Sequence, residues 1–411
     1  MGVIMSTSNV RETVNRFIQE SDGVLKLRPA WVAHDFLAGG HRLNLKEEEY
    51  DCGERGEIME RWFCSETHAV NTIDIPTEGI SFLEIPGEDI TIPEALRACR
   101  EEILGKEYGK DHDCLGRLVK IYDFKPRLFL HIHQRQEDLN SQGKVSKDEA
   151  YHYLDAPLGD HPESFFGVHK YIVDQGLQYE TYLPLLQKWD CREEELLRYS
   201  TALQNVPGEG FYLDSGILHA PGTALTMEIQ EPSDVGAIFQ PNVNGYPISK
   251  HMLGKDVAPE AVEKYGSVEL AALHQIDWEG SADPLFYEHR HLYPKPVEET
   301  RQGDVFEEWI YYGTPKFSGK RLILKPGEKF FSKEPGVHNI FVWRGEGLVN
   351  GTKVIGGRCD LTSCDDELLV VCSKAQRGYW IENTGDEDLM LYKYFGRDIH
   401  LDTPAMGHCA K

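Results

Sequence analysis

The chain has 411 residues, of which 40% are hydrophobic, so it can form two domains or one large domain with insertions and is too apolar to be disordered. Its 43 Lys and Arg residues are outnumbered by 68 Asp and Glu residues, which gives a formal net charge of −25. Because an acidic surface repels phosphate backbones and anionic lipids, we expect neither nucleic acid nor a membrane as a partner.

The sequence also predicts a compartment. No stretch approaches the roughly 18 apolar residues that a bilayer-spanning helix needs, and the first residues lack the apolar core of a secretory signal. The nine cysteines are odd in number and form no C-x-x-C pair, which is typical of free thiols in a reducing compartment. We therefore expect a cytoplasmic protein, with a homodimer left open.

The first part of the chain is predicted to be a short helix followed by β structure. Residues 1–30 form a mostly polar N-terminal segment with an amphipathic helix around 10–19. Short apolar runs then alternate with turn residues over 31–86, a β pattern. Thr91-Ile92-Pro93-Glu94 has the form of a capping box with Pro near the helix start, which predicts a helix to about Gly105.

Further along, β strands are interrupted by helices. Helical periodicity over 179–204 indicates an insertion inside a β scaffold, and another helix is predicted over 259–273. Strands are predicted at 118–123, 127–133, 151–154, 210–213 and 224–229. From about residue 305, many short strands separated by Gly-containing turns favour a sandwich or barrel.

These patterns predict a mostly β protein with two β-barrel domains. The first barrel spans 31–245 and includes the helical insertion. A partly helical connector covers 246–304, and the second barrel covers 305–411. The second barrel has His338 without a neighbouring metal-ligand pattern, so we expect no metal site there.

The pair His131 and His133 is the first candidate for chemistry. The two residues are two apart in the predicted strand at 127–133, so both imidazoles face the same side. A strand can thereby offer two nitrogen donors to one divalent metal. A polar stripe without metal is the alternative.

A second motif supports the metal interpretation. Gly208 is followed by five residues, then Asp214, Gly216 and, after two more residues, His219. This spacing resembles the second cupin motif, G-x5-P-x-G-x2-H, with Asp214 in place of the proline. A bend at Gly216 would direct His219 toward the first histidine pair.

A carboxylate is expected as the fourth ligand, and two are available. Glu137 fits the compact spacing H-x-H-x3-E, but a polar loop follows it. Glu149 opens the apolar alternation AYHYLDA, as a strand residue should, and we choose it. A His3Glu set leaves open positions for catalysis on Zn²⁺, our first choice, while Mn²⁺, Fe²⁺ and Co²⁺ are also compatible.

Taken together, the segments resemble class I mannose-6-phosphate isomerases, which are zinc-dependent tandem cupins. The resemblance covers roughly 28–240 in one continuous order. It rests on four segments: LVKIYDFKPRLFLHIH, KDEAYHYLDA from Lys147, SGILHA, which contains His219, and EIQEPSD from Glu228. It implies a fold of two cupin (jelly-roll β-barrel) domains and a small-molecule carbohydrate substrate.

The sequence departs from the family at two positions. His131 stands where the family has Gln, which still provides a metal donor. Ile238 stands where the family has an Arg beside the substrate, and the nearest polar side chain is Gln240, a candidate substrate contact. Without an arginine to bind phosphate, the substrate could be a sugar other than mannose 6-phosphate.

The resemblance also implies roles for other residues. Lys147 is a candidate to stabilise an enediolate, and Glu228 is a candidate acid/base, although either could be purely structural. His161, Glu163 and His169 could border the pocket and contact sugar hydroxyls, or belong to a structural loop.

Three function classes follow from this sequence. The leading one is a metal-dependent aldose–ketose sugar isomerase acting through a cis-enediolate. The alternatives are another metal-cupin enzyme, such as an oxygenase or an epimerase, and a non-catalytic sugar-binding cupin.

Overall fold

The computed structural model describes residues 7–190, 192 and 194–407. Most of its regular structure is β, in antiparallel sheets. Among the helices of these residues, none is long and apolar enough to cross a membrane.

The strands are numbered in chain order. The first sixteen are β1 Val24–Arg28, β2 Ala30–His34, β3 Glu57–Phe63, β4 Phe82–Leu83, β5 Leu118–Tyr122, β6 His131–Ile132, β7 Glu149–Tyr153, β8 Glu163–Phe166, β9 Thr201–Gln204, β10 Gly210–Leu213, β11 His219–Ala220, β12 Thr226–Gln230, β13 Ala237–Ile238, β14 Asn242–Val243, β15 Tyr246–Pro247 and β16 His291–Leu292. The remaining ten are β17 Lys295–Gln302, β18 Val305–Tyr311, β19 Ser318–Leu324, β20 Lys329–Ser332, β21 His338–Arg344, β22 Glu346–Val349, β23 Thr352–Ile355, β24 Glu367–Val370, β25 Tyr379–Asn383 and β26 Leu389–Phe395.

The helices are numbered in the same way. They are α1 Thr7–Glu20, α2 Ile92–Leu104, α3 Tyr108–Asp111, α4 Gln136–Leu139, α5 Lys170–Asp174, α6 Gln178–Lys188, α7 Glu194–Leu197, α8 His251–Gly254, α9 Pro259–Tyr265, α10 Val268–His274, α11 Trp278–Ser281, α12 Phe286–Arg290 and α13 Cys372–Arg377. Three short 3-10 turns lie at Glu47–Glu49, Gly53–Arg55 and Asn140–Gln142.

Two sheets form the part of the molecule that carries the candidate ligands. A seven-stranded sheet has the order β16-β10-β7-β12-β5-β3-β2, and a five-stranded sheet has the order β13-β6-β11-β8-β9. The predicted strands at 118–123, 151–154, 210–213 and 224–229 are all present as β5, β7, β10 and β12. The predicted strand at 127–133 is reduced to β6, because the N–H of Leu130 is bonded to the side chain of Gln240 instead of to a neighbouring strand.

The C-terminal part forms an eight-stranded sheet with the order β17-β18-β19-β26-β21-β24-β1-β4 and a four-stranded sheet, β20-β25-β22-β23. Two of these strands come from the N-terminal part of the chain. Val24 pairs with Val370, and β4 extends the sheet edge next to β1. The second sheet pair thus begins with β17 at Lys295 and includes part of the segment 1–30, although the sequence suggested a boundary near 305 and a separate N-terminal segment.

The central strands β5, β7 and β12 are buried on both faces, for two different reasons. On one face, apolar side chains such as Ile121, Met227 and Ile229 pack against Trp309 and Tyr392 of the C-terminal sheet. On the other face, the alternating positions carry polar side chains that line a cavity. One set of strands therefore contributes both to the core and to the candidate site.

The helix predictions are mostly confirmed. The capping box of Thr91 is present, since Glu94 N donates to its hydroxyl and the Glu94 carboxylate accepts from Thr91 N. The helical insertion begins earlier than expected, with α5, and continues through α6 and α7. The helix predicted over 259–273 is two helices, because Gly266 ends α9 in a left-handed conformation with a φ of 87°.

Candidate metal centre

The five-stranded sheet brings three histidines together. His131 in β6 is the direct cross-strand partner of His219 in β11, and His133 follows β6 by one residue. The turn before β11 depends on Gly216, which has a φ of 91° and whose N–H donates to the carbonyl of His133 at 2.7 Å. The bend predicted at Gly216 therefore places His219 beside the first histidine pair.

Glu149 completes the group from the facing sheet. It is the first residue of β7, and the ligand atoms of His131, His133, Glu149 and His219 all lie within 4.8 Å of one another. The Nε2 atoms of His133 and His219 are 3.0 and 3.1 Å from the two carboxylate oxygens of Glu149. All four side chains are buried.

Backbone carbonyls orient the three imidazoles. Nδ1 of His131 lies 2.8 Å from the carbonyl of Phe129, and Nδ1 of His133 lies 2.8 Å from the carbonyl of Val235. Nδ1 of His219 is 2.9 Å from the carbonyl of its near neighbour Ile217. A carbonyl can only accept, so each Nδ1 carries a proton, and in a neutral imidazole of this tautomer the lone pair is on Nε2. This second contact is the one that fixes metal-binding histidines in proteins.

The buried donor atoms fit a metal cation. Nε2 of His133 and Nε2 of His219 have no hydrogen-bond partner among the described residues. Lone pairs that face one another at about 3 Å in a buried site repel each other unless a cation lies between them. Three imidazole nitrogens and one carboxylate form a donor set suited to Zn²⁺ and to other divalent transition metals.

The protonation states also suit metal binding. Burial, with the neighbouring histidines, lowers the pKa of His131 well below its usual value, and burial lowers the pKa of His133 to about 4. Burial raises the pKa of Glu149, but the positive charge of Lys147 and the contacts with His133 and His219 together outweigh this effect and hold the pKa well below its usual value. Both imidazoles are therefore neutral and the carboxylate is charged at neutral pH, as ligands must be.

Lys147 and Glu228 lie beside the four residues. Lys147 Nζ is 3.0 Å from Oε2 of Glu149 and 3.4 Å from Oε1 of Glu228. Burial lowers the pKa of Lys147, but the two glutamates outweigh it and the pKa is raised. Burial and the charge of Glu149 raise the pKa of Glu228 to about 7. The structure thus brings together both residues that the sequence suggested for catalysis.

The chain of charges continues to residues that the sequence did not indicate. Lys120 Nζ lies 3.7 Å from Glu228 Oε1 and 3.5 Å from Glu60 Oε2, and Glu60 Oε1 lies 3.6 Å from His34 Nε2. The sequence does show Lys120 and Glu60 as charged residues inside otherwise apolar strands, in LVKIY and IMERWF. Such residues are rarely buried without a partner, but their partners depend on the register between distant strands.

These residues line a cavity of about 590 Å³, a volume typical of small-molecule sites. The metal-ligand candidates His131, His133 and Glu149 are part of its wall, and so are Lys147 and Glu228. Much of the remaining wall is apolar, from Phe36, Trp62, Tyr122, Phe124, Leu128, Phe129, Ala237, Ile238, Ile248 and Met252. The cavity can hold a small polar molecule with one side against the candidate metal centre and another against apolar side chains.

Four residues suggested as substrate contacts are not in this wall. Nδ1 of His161 and Oε1 of Glu163 each lie 3.3 Å from Nη1 of Arg127. His169 is the N-cap residue of α5. Gln240 accepts from the N–H of Leu130 and is fully buried. The four residues are therefore not part of the site that we propose.

Glu137, the alternative fourth ligand, lies apart from the cluster. It is in α4, its side chain is 66% exposed, and it lies 3.1 Å from Arg135. Among the described residues, the group that contains Glu149 is the one that could hold a metal. His338 of the C-terminal sheet has both ring nitrogens engaged, with the carbonyl of Gly336 and the hydroxyl of Tyr379.

Comparisons with known proteins find relatives by structure. No family model and no curated protein sequence matches the chain. The mannose 6-phosphate isomerase from Bacillus subtilis superposes with a TM-score of 0.60 at 15% identity, over 90% of this chain and 99% of that chain. A putative mannosephosphate isomerase from Archaeoglobus fulgidus gives 0.57 at 12% identity, over 91% and 97%.

A zinc-bound mannose 6-phosphate isomerase gives a TM-score of 0.58 at 12% identity, over 91% of this chain and 100% of that one. The similarity therefore extends over the whole length of these proteins, with little identity in sequence. The mostly β cupin fold expected from the sequence is confirmed. Over nine-tenths of its length, this chain has the fold of the mannose-6-phosphate isomerases.

Proposed function

We propose that the protein is a metal-dependent sugar isomerase that interconverts an aldose and a ketose through a cis-enediolate. The observation that carries this proposal is the buried His3Glu group, which lies in the wall of a 590 Å³ cavity next to a buried Lys–Glu pair. The zinc-bound structure that shares the fold supports zinc as the metal.

His131, His133, Glu149 and His219 would hold the ion. A bound divalent metal supplies Lewis acidity, which polarises a carbonyl or hydroxyl oxygen of a sugar and so acidifies the adjacent C–H bond. The protein keeps the Nε2 atoms and the carboxylate in fixed positions, since each imidazole is tied to a carbonyl through Nδ1.

Glu228 and Lys147 are suited to the proton transfer and to the charge that develops. Isomerisation moves a proton between C1 and C2, and a base works best when its pKa is near the working pH. Burial brings Glu228 into this range. Lys147 remains charged, and its ammonium group can stabilise the negative oxygen of an enediolate.

Lys120 is a positioning residue in this proposal. Its ammonium lies between the carboxylates of Glu228 and Glu60, and it is almost completely buried. It therefore keeps Glu228 oriented toward the cavity. The indole N–H of Trp62 donates to the same oxygen of Glu60 at 2.6 Å, which fixes the far end of the chain of charges.

The cavity wall supports a substrate without a phosphate group. The lining residues of the described chain include no arginine, and their lysines are Lys120, Lys147 and Lys255. The first two lysines are paired with buried glutamates, and Lys255 lies 4.0 Å from Asp234. Each of these lysines therefore already has a carboxylate partner, and none is left to bind a phosphate group. We propose an unphosphorylated sugar as the substrate.

The proposal is tested by reconstituting metal-free protein with Zn²⁺, Mn²⁺, Fe²⁺ or Co²⁺ in turn. Each form is incubated with free aldoses and with their phosphate esters, and the ketose product is measured by chromatography. We expect ketose from a free sugar, and no product after chelation. If metal is bound but no sugar or sugar phosphate is converted, the isomerase proposal is wrong, and sugar-dependent oxygen uptake by the iron form would indicate an oxygenase instead.

A further inference from the structure

Two cysteines of the C-terminal part lie opposite each other in a short hairpin. Cys359 and Cys364 form an isolated antiparallel bridge. The flanking hydrogen bonds run from Asp360 N to the carbonyl of Ser363 at 2.9 Å and from Asp365 N to the carbonyl of Arg358 at 3.0 Å. The cysteines themselves are therefore a non-hydrogen-bonded pair, the type in which opposite side chains approach most closely.

This geometry is suited to a disulfide bond. In a non-hydrogen-bonded antiparallel pair the two Cα atoms are about 4.5 Å apart and the side chains lie on the same face. Disulfides bridge Cα atoms about 4.4–6.8 Å apart, so the bond requires rotation of the thiols with little movement of the backbone. Both thiols are free in the structure.

The hairpin loop holds this register. Oδ1 of Asp360 accepts hydrogen bonds from the backbone N–H of Thr362 at 2.8 Å and of Ser363 at 2.9 Å. The loop is thus closed by its own side chain. The two cysteines consequently stay opposite each other without a covalent link.

We propose that Cys359 and Cys364 form a reversible disulfide by exchange with a low-molecular-weight disulfide. The Cys359 thiolate attacks one sulfur of the small disulfide, which releases one thiol and leaves a mixed disulfide. Cys364 then loses its proton and attacks the Cys359 sulfur, which releases the second small thiol. Two protons and two electrons pass to the small disulfide, which is reduced to two thiols.

The environment assigns the order of attack. Cys359 is partly exposed, and its Sγ lies 3.6 Å from the guanidinium of Arg61. Cys364 is buried and its thiol donates to the carbonyl of Leu27 at 3.2 Å, so it acts second. Burial raises the pKa of Cys359 to about 11, so the fraction of thiolate, and with it the rate of exchange, should increase as the pH rises above neutral.

The disulfide would lie at a contact between the two sheet systems. Arg61 of β3 binds Asp366, immediately beyond the hairpin, through two hydrogen bonds of 2.6 and 2.8 Å. The indole of Trp31 in β2 donates to the carbonyl of Asp360 at 3.2 Å. The strand β3 also carries Glu60 and Trp62 of the cavity wall. Oxidation would therefore stabilise the hairpin that packs against this strand.

The test is to treat the full-length protein with glutathione disulfide at mildly alkaline pH and to count thiols in denaturant. We expect the number of thiols to fall from nine to seven. A peptide carrying both Cys359 and Cys364 should be lighter by two hydrogen atoms. Dithiothreitol should restore nine thiols, and the oxidised form should unfold at a higher temperature than the reduced form.

Variants separate this pair from the other cysteines. Cys364→Ser should keep a stable glutathione adduct on Cys359, because the second thiol is missing. Cys52→Ser, which removes a partly exposed cysteine elsewhere, should still lose two thiols and show the same linked peptide. Retention of all nine thiols in the wild type, or a linkage between other cysteines, would overturn the proposal.

Discussion

His131 and Ile238 are direct partners across the antiparallel strands β6 and β13. Ile238 therefore lies next to the candidate metal centre, and it is part of the cavity wall. The resemblance to class I mannose-6-phosphate isomerases places an arginine of that family at this position. With an apolar side chain here, this part of the described cavity wall has no cation to bind a phosphate group.

Ile238→Arg should shift substrate preference toward phosphorylated sugars. A hydrogen bond between charged groups contributes about 1.5–3 kcal/mol, so we expect the ratio of kcat/KM for the sugar phosphate over the free sugar to rise by about tenfold or more. Ile238→Met is the control, because it keeps the size and the apolar character. An unchanged ratio in a metal-loaded Ile238→Arg variant would contradict the assignment of this position to specificity.

Substitution of the proposed ligands should remove the metal. His219→Ala and Glu149→Ala each delete one donor from a buried group, and we expect metal affinity to fall by at least about tenfold, as measured by elemental analysis after dialysis. Glu137→Ala is the matched control, since this glutamate is exposed and paired with Arg135. Full metal occupancy in both ligand variants, with circular dichroism unchanged, would rule out the assigned ligand set.

Lys147 and Glu228 should affect catalysis more than metal binding. Lys147→Ala and Glu228→Gln remove, respectively, the ammonium and the base beside the metal centre, and we expect kcat to fall by about a hundredfold or more. Bound metal, measured on the same samples, should remain near the wild-type level. Lys125→Ala, at an exposed lysine of the β5–β6 connection, should leave kcat unchanged. Equal activity of the Glu228→Gln variant and the wild type would exclude Glu228 as the base.

His338 should make stability depend on pH in a defined direction. Burial lowers its pKa to about 3, and its ring is bonded to Gly336 and Tyr379 in the neutral form. Below about pH 6.5 the unfolded chain takes up a proton that the folded chain does not, so the stabilisation is present above that pH and is lost as the pH falls toward 3.

The measurement is the free energy of unfolding in urea for the wild type and His338→Gln, at several pH values. The advantage of the wild type should shrink by about 1.4 kcal/mol for each pH unit below 6.5. A difference between the two proteins that stays constant from neutral to acid pH would show that His338 is not held neutral.

The metal cluster could be predicted because its signals are local. The two-residue spacing of His131 and His133 and the bend at Gly216 are visible in short stretches of sequence. The choice of Glu149 over Glu137 followed from the apolar alternation after Glu149, and the structure brings Glu149 into the cluster. These signals are strand periodicity and the resemblance to the second cupin motif, and both can be recognised within short stretches of sequence.

The rest of the cavity wall depends on contacts between distant segments. Lys120 meets Glu60 and Glu228 only because β5 lies between β3 and β12, and no local pattern gives that strand order. The same holds for β1, whose pairing with β24 joins residues almost 350 positions apart. His161 and Glu163 were suggested as substrate contacts because they follow the metal strand closely in sequence. In the structure both lie beside Arg127 and outside the residues that line the cavity.

The most direct test of the proposed isomerase is proton NMR in deuterated water on the zinc-loaded protein, with a panel of free sugars, sugar acids and sugar phosphates. We predict that deuterium from the solvent appears at C1 or C2 of a free sugar, because a base that moves a proton between these carbons exchanges it with water. The metal-free protein should show no exchange. Absence of deuterium from every compound, with zinc bound at the His3Glu group, would contradict enediolate chemistry at this site.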